Sequence, residues 1–472
     1  MTELIGSLLE ARAGEKFDLH EQHLNGQLVR VLRTIGFDRH YKRGAGAYLY
    51  DEADQQYLDL LSGFGTFALG RNHPTVNAAL REVLDSELPN LAQLDVSALA
   101  GLLAEALIKT WPGDSRVKAF FANSGTEAVE GGLKLARYAT GRDKVVCLKG
   151  GYHGLTLGSL SVTSDEMFQK GFGALLPGVA MVKMNDLDAL DQALRGKDVA
   201  AFIVEPIQGK GVHIPDDNYL AEAARLCSKY GTVFIADEVQ TGLGRTGKMW
   251  AMEHWGVEPD MLLTAKALSG GHAPVGAILA KAPIMDAVFD RMDRAVVHGS
   301  TFGKNDMAMA AGLATLRVLE EEKLIENAAR IGGQIIDEMR PFIDQYEFMK
   351  DVRGKGLMIA VEFGPPKSLK LKASWKMLET ANKSLFSQMI LIPLFEKHRI
   401  LAQVAGAGMH VIKLLPPLVI NESDKDWIIR AFDEVVADTH KVPGAIWSLG
   451  ASLAKHAVAP SKKQRPPSFA AE

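Results

Sequence analysis

Two cysteines in 472 residues, Cys147 and Cys227, leave little basis for a disulfide-stapled fold. Both sit in apolar surroundings with no CxxC or Cys/His spacing nearby, so zinc is unsupported too and no metal site is expected; buried free thiols remain. Long apolar runs are also missing, since none reaches the roughly 20 residues of a membrane span. Met1 to Glu10 shows no basic stretch leading into a long apolar run and a small-residue cleavage site, so no secretory leader is expected and the cytoplasm is the default. Charge of one sign is scarce as well. Fifty-three Lys and Arg against 57 Asp and Glu give a formal charge of -4, and no basic block is long enough to grip a phosphate backbone, which argues against nucleic acid as a partner.

What is present is the balance of an ordinary globular protein, 47% hydrophobic and 23% charged, in a chain too long for a single core. Leu4 to Ile35 reads as helix. Gly44 to Leu61 alternates like strands around a turn at Asp51 to Gln55. From Val117 to about Ala280 short apolar runs (Val117–Phe121, Lys144–Leu148, Ala200–Val204, Val233–Ala236, Met261–Ala265) alternate with helical stretches such as Ala128–Ala139 and Tyr219–Tyr230. That alternation predicts a mostly parallel sheet covered by helices on both faces. After a helical stretch at Met307–Glu321, residues Val352–Phe363 and His410–Val419 look like strands of a second domain. The expected division is an N-terminal segment over 1–74, a large domain over 75–325, a small domain over 326–440 and a C-terminal extension over 441–472. Within the extension, Ala445–Val458 is mildly amphipathic and reads as a helix packed on a dimer, with brief membrane-surface contact as the weaker alternative; Pro460–Glu472 reads as a disordered tail.

In sheets of this kind ligands collect beyond the carboxyl ends of the strands, where Asn123, Glu205, Asp237 and Lys266 all fall. Ser124-Gly125-Thr126 lies at a strand-to-helix turn. Free backbone N–H groups and two hydroxyls there suit a phosphate, although a ligand-free helix cap has the same composition. Tyr152, between glycines in Gly151-Tyr152-His153-Gly154, can lie flat on a heterocycle or simply pack in its loop. Asp237 ends a buried strand and needs a cationic or strong donor partner; a protonated pyridine nitrogen or an internal salt bridge would serve. Lys266 ends another apolar run before a glycine pair. Desolvation there favours the neutral amine that forms imines, though it could instead be the structural cation for Asp237. The coincidence of phosphate turn, aromatic, carboxylate and lysine at successive strand ends points to a pyridoxal-phosphate site.

These residues also carry a resemblance. Asn123-Ser-Gly-Thr-Glu-Ala128, Tyr152-His-Gly154, Glu205-Pro-Ile-Gln-Gly209, Asp237-Glu-Val-Gln-Thr-Gly242 with Gly244-Arg-Thr-Gly247, Lys266 and His298-Gly-Ser-Thr301 make the chain similar to the class III, ornithine aminotransferase-like branch of pyridoxal-phosphate enzymes, from about Gly26 to Val435. The resemblance implies an α/β fold of type I, with a mostly parallel seven-stranded sheet in the large domain and a smaller α+β domain. It implies pyridoxal 5'-phosphate as cofactor. Lys266 would carry it covalently and then act as the base. Ser124, Gly125 and Thr126 would hold its phosphate, helped by Thr301 from the partner of a homodimer. Tyr152 and Val239 would cover the two ring faces, Asp237 would pair with the ring nitrogen, Gln240 would donate to the phenolic oxygen, and His153 would line the cofactor site. Glu205, Lys210 and Lys413 would lie on the substrate side.

The expected reaction moves an amino group from a small-molecule donor, glutamate or another amino acid, to a carbonyl acceptor. Two positions depart from the branch. Many members acting on α-amino acids have an arginine just before the Pro-Pro pair near the C-terminus, and this chain has Lys413 before Leu414-Leu415-Pro416-Pro417. A glutamate often follows the Glu-Pro-Ile-Gln-Gly motif in ornithine-type enzymes, and here Lys210 stands there. A lysine lacks the bidentate fork that grips a carboxylate, so the expected substrate is an amine or aldehyde without an adjacent carboxylate. A glutamate-semialdehyde-type aminomutase and a noncatalytic scaffold of the same fold are the competing readings.

Overall fold

The computed structural model describes residues 4–92, 94–406, 408 and 410–458. The expected tail at Pro460–Glu472 lies outside them. The N-terminal stretch is not one helix but three, Leu4–Ala11, Lys16–His23 and Gly26–Thr34. Gly14 turns the chain through a left-handed φ of 88°, and Asn25 opens the third helix by accepting a hydrogen bond from the Leu28 N–H at 3.2 Å, so local capping breaks what periodicity alone joins.

β1 (Tyr41–Ala45), β2 (Tyr48–Asp51) and β3 (Gln56–Asp59) form an antiparallel meander around the expected turn. The central sheet contains β4 (Val117–Ala122), β5 (Lys144–Leu148), β6 (Val179–Val182), β7 (Val199–Val204), β8 (Val233–Asp237), β9 (Met261–Thr264) and β10 (Gly276–Lys281). Their order is β4-β10-β9-β8-β7-β5-β6. Only β10 runs against the rest. β7 and β8 are buried along their whole length, as sheets covered on both faces require. β6 and β10 were not legible in the sequence: β6 is short with mixed exposure, and β10, Gly-Ala-Ile-Leu-Ala-Lys, has no polar alternation to mark it.

β11 (Met349–Lys355) and β12 (Met358–Phe363) are a tight hairpin where the sequence suggests one strand. The reversal is at Gly356, with φ 52°; a Cβ there would come within 2.4 Å of the Thr246 backbone. β13 (Ile400–Leu401) leaves this region to pair in parallel with β3, whereas β14 (Gln403–Ala405) and β15 (Val411–Leu414) complete a sheet of order β11-β12-β15-β14. The helix Ala445–Val458 packs on helices Leu369–Ala381 and Leu385–Glu396 of its own chain. Ile446, Trp447 and Leu453 are buried in that contact. Among the described residues no helix is long and apolar enough to cross a membrane.

Candidate active site

Because β4, β5, β7, β8 and β9 point the same way, their carboxyl ends open on one edge of the central sheet, and the residues singled out from the sequence collect there. Lys266 follows β9 directly. It opens a 3-10 turn with φ 41°, a left-handed conformation that costs a non-glycine residue about 1–2 kcal/mol. Its side chain is half-buried, and desolvation holds the ammonium below the usual lysine range against the pull of Asp237 and Glu205. Its amine has no hydrogen-bond or ion-pair partner among the described residues.

The partner that the sequence demands for Asp237 is His153. Nδ1 of His153 lies 2.7 Å from Oδ2 of Asp237, and both side chains are buried. Burial opposes protonation of the imidazole, but the hydrogen bond and charge of Asp237 prevail and raise it above the usual histidine range. Asp237 Oδ1 also accepts from the Val239 N–H at 3.1 Å. A carboxylate has about four lone-pair sites, so one face of Asp237 stays open to a further donor. Glu205, also buried, accepts from the N–H groups of Tyr152 and Gly209, each at 2.9 Å. Desolvation raises its carboxyl above the usual range. It fixes the loop carrying Tyr152, whose ring meets Phe168 edge-on at 5.6 Å.

Ser124 caps the helix Gly125–Thr140, its hydroxyl accepting from the Glu127 N–H at 3.2 Å. The Thr126 hydroxyl is engaged with Thr156 and Ser159 at 2.8 and 2.6 Å. The side chains the sequence offered to a phosphate are thus held by protein groups, but the backbone N–H groups of Gly125 and Thr126 meet no acceptor among the described residues. At the first turn of a helix that is a ready anion cradle. Gly125 is required by packing, since a Cβ would approach Val239 Cγ1 to 2.8 Å. Thr301 lies apart in an exposed turn, next to Ser300, which accepts from Asn123 at 2.5 Å.

Gln240 donates Nε2 to the Phe64 carbonyl at 3.0 Å. Lys413, on β15, is buried and turns inward, donating to the Gly209 carbonyl at 2.8 Å and to Gln240 Oε1 at 3.2 Å. Burial, with Lys266 nearby, pushes its pKa down to about 8. Lys210 is tied to Asp165 in a half-buried ion pair. Neither Asp165 nor Phe64 is legible as a site residue from the sequence, because each reaches the site through contacts across long separations. Glu238, quoted in the same motif as Asp237 but given no role there, is buried against Thr241 and the Met252 N–H.

An unpartnered amine, a buried carboxylate with an open face, two free helix N–H groups and an amide with one N–H to spare together suit a planar, cationic, phosphate-bearing aldehyde. Pyridoxal 5'-phosphate has those groups.

Comparison with known proteins agrees. The model of the class-III aminotransferase family matches residues 34–436. The aminotransferase PigE of a Serratia species is 34% identical over 453 residues, covering 89% of this chain and 53% of that protein, so the chain spans about half the length of this curated relative. The ornithine aminotransferase of Toxoplasma gondii superposes with a TM-score of 0.80 at 29% identity, covering 93% of this chain and 100% of that one. An amine transaminase from an uncultivated Pseudomonas species gives 0.75 at 30% identity, covering 84% and 94%.

Proposed function

The chain belongs to the class-III aminotransferases, whose cofactor is pyridoxal 5'-phosphate, and on that footing we propose that it transfers an amino group from an amino donor, glutamate or another amino acid, to a carbonyl acceptor. The observation that carries the reading is the Lys266 amine, without a partner among the described residues, beside the buried Asp237–His153 pair. A lysine whose ammonium is disfavoured by desolvation can take and return a proton at the substrate carbon, a contribution of roughly 10²- to 10⁴-fold. Asp237 would hold the ring nitrogen protonated, and His153 holds Asp237. When bound, the cofactor would supply an electron sink for the charge left as the substrate carbon loses its proton. The N–H groups of Gly125 and Thr126, with Ser124 at the cap, would hold its phosphate, and Tyr152 and Val239 would cover its ring. In a homodimer, Thr301 of one subunit would reach the phosphate of the other.

The principal substrate is an amine or aldehyde without an adjacent carboxylate. Support comes from Lys413 and Lys210, whose ammonium groups already serve Gly209, Gln240 and Asp165, leaving neither as a ready carboxylate clamp. We place the enzyme in the cytoplasm.

The test is the absorbance spectrum of the purified protein before and after adding glutamate. A yellow band that bleaches in the native protein, with no turnover in Lys266→Ala, is the expected result; absence of the band after incubation with pyridoxal phosphate would refute the proposal. Initial rates with diamines, aldehydes and ornithine then test the substrate class, which a strong preference for ornithine would overturn.

A further inference from the structure

Gln240 is an amide, and an amide has two ends. Which end faces the ring site is decided by its neighbours, since the carbonyl only accepts and the NH2 only donates. On one side stands Lys413, whose ammonium has three donors and no acceptor. It lies 3.2 Å from Gln240 Oε1 and 2.8 Å from the Gly209 carbonyl. On the other side the Phe64 carbonyl receives Gln240 Nε2 at 3.0 Å. The carbonyl must therefore face Lys413, and the NH2 must face away, with one hydrogen on Phe64 and the second without an acceptor among the described residues.

We infer that Lys413 is a positioning residue that acts through Gln240: by holding the amide carbonyl, it fixes the remaining N–H of Gln240 as the donor presented to the ring oxygen of the cofactor. The inference rests on the cofactor placement proposed above. Three further features support the arrangement. Lys413 comes from β15, paired with Ala360 on β12 and Gln403 on β14, so the tie spans from the C-terminal sheet to the loop after β8. A Cβ on Gly209 would meet Gln240 Oε1 at 2.6 Å and Glu205 Oε1 at 3.1 Å, so no side chain at 209 fits between the carbonyl and the lysine. The backbone that supplies the Phe64 carbonyl is itself held in place: Ser62 donates to the Leu415 carbonyl at 2.5 Å, and the Ser62 N–H is received by Asp59 at 2.8 Å. Gln240 is thus gripped from both sides by groups whose own positions are fixed.

A hydrogen bond to the ring oxygen favours its ionised form, and this shows as the pH midpoint between the two absorbing forms of the bound cofactor. In Lys413→Met the amide loses its orienting donor, and the midpoint should move up by about one pH unit, a tenfold change in the proton equilibrium. Lys413→Arg, also a donor-only cation, should restore most of it. The deciding measurement is a double-mutant cycle. In a Gln240→Ala background, which has already lost the donor, Lys413→Met should shift the midpoint no further. If Lys413→Met is insoluble, Lys413→Leu takes its place in the same cycle. Equal shifts in both backgrounds would mean that Lys413 acts by its charge alone, and no shift in either would mean that it does not orient Gln240; each overturns the inference. Because the spectrum is read without turnover, these failures are distinct from failure of the proposed function, whose signature is a missing band or a band that no amine bleaches.

Discussion

Replacing Glu238 by glutamine should stabilise the protein at alkaline pH and leave it nearly unchanged in acid. Glu238 is 1% exposed and sits directly after Asp237. Burial is the main cause that raises its carboxyl from 4.5 to about 7, outweighing the hydrogen bonds from Thr241, Met252 and Ala251, with repulsion from Asp237 adding to the rise. The folded state therefore binds a proton that the unfolded chain has released between about pH 4.5 and 7. Stability from this group is fully present below 4.5 and is lost as pH rises through 7. The full loss corresponds to about 3 kcal/mol. Glutamine mimics the protonated acid, with its carbonyl able to take the Met252 N–H that Glu238 Oε1 accepts at 2.8 Å and its NH2 facing the Thr241 hydroxyl. Urea unfolding of both proteins, followed by tryptophan fluorescence at pH 5 and pH 8 with cofactor and protein concentration matched, reads the effect. The advantage of Glu238→Gln should grow by roughly 2–3 kcal/mol between those pH values. A difference that is constant with pH, or a wild type that becomes relatively more stable at pH 8, refutes the argument.

Gly125→Ala should raise the dissociation constant for pyridoxal phosphate about tenfold, because the new methyl meets Val239 at 2.8 Å beside the free helix N–H groups; spectral titration giving an unchanged constant would remove the phosphate cradle from this turn. His153→Leu leaves Asp237 as a buried carboxylate without its partner at 2.7 Å, a loss of about 3–5 kcal/mol in the apoprotein. Since His153 is raised above the usual histidine range, its contribution is complete below pH 6.5 and fades as pH rises through the folded value, so the deficit of the variant should shrink in alkali; a deficit that grows with pH contradicts the assignment. Lys266→Ala should lose at least 10²-fold in turnover while keeping its far-ultraviolet circular dichroism, and retained turnover would exclude Lys266 as the base.

Much of the central sheet is legible because strands buried on both faces are written as unbroken apolar runs, and Val199–Val204 and Val233–Asp237 are buried throughout. The hairpin at Gly356 and the breaks at Gly14 and Asn25 are less visible. Their signal is a single residue whose meaning depends on what packs against it, as the Thr246 backbone does against Gly356. The same holds at the site. Lys266 and Asp237 announce themselves as lone charges at the ends of apolar strands, but nothing in the sequence says that Thr126 turns to Thr156 and Ser159.

The order of apolar runs and helices, together with the residue types at the strand ends, was enough to determine the parallel-rich sheet and to place Asp237 and Lys266 at the carboxyl ends of neighbouring strands. These depend on neighbours along the chain and on period. Tertiary structure alone decided that His153 is the partner of Asp237, 84 residues away, and that Lys413 faces Gly209 and Gln240 across 204 and 173 residues. Hydrogen bonds are short-ranged and directional, so which donor meets which acceptor is fixed only once the sheets are packed.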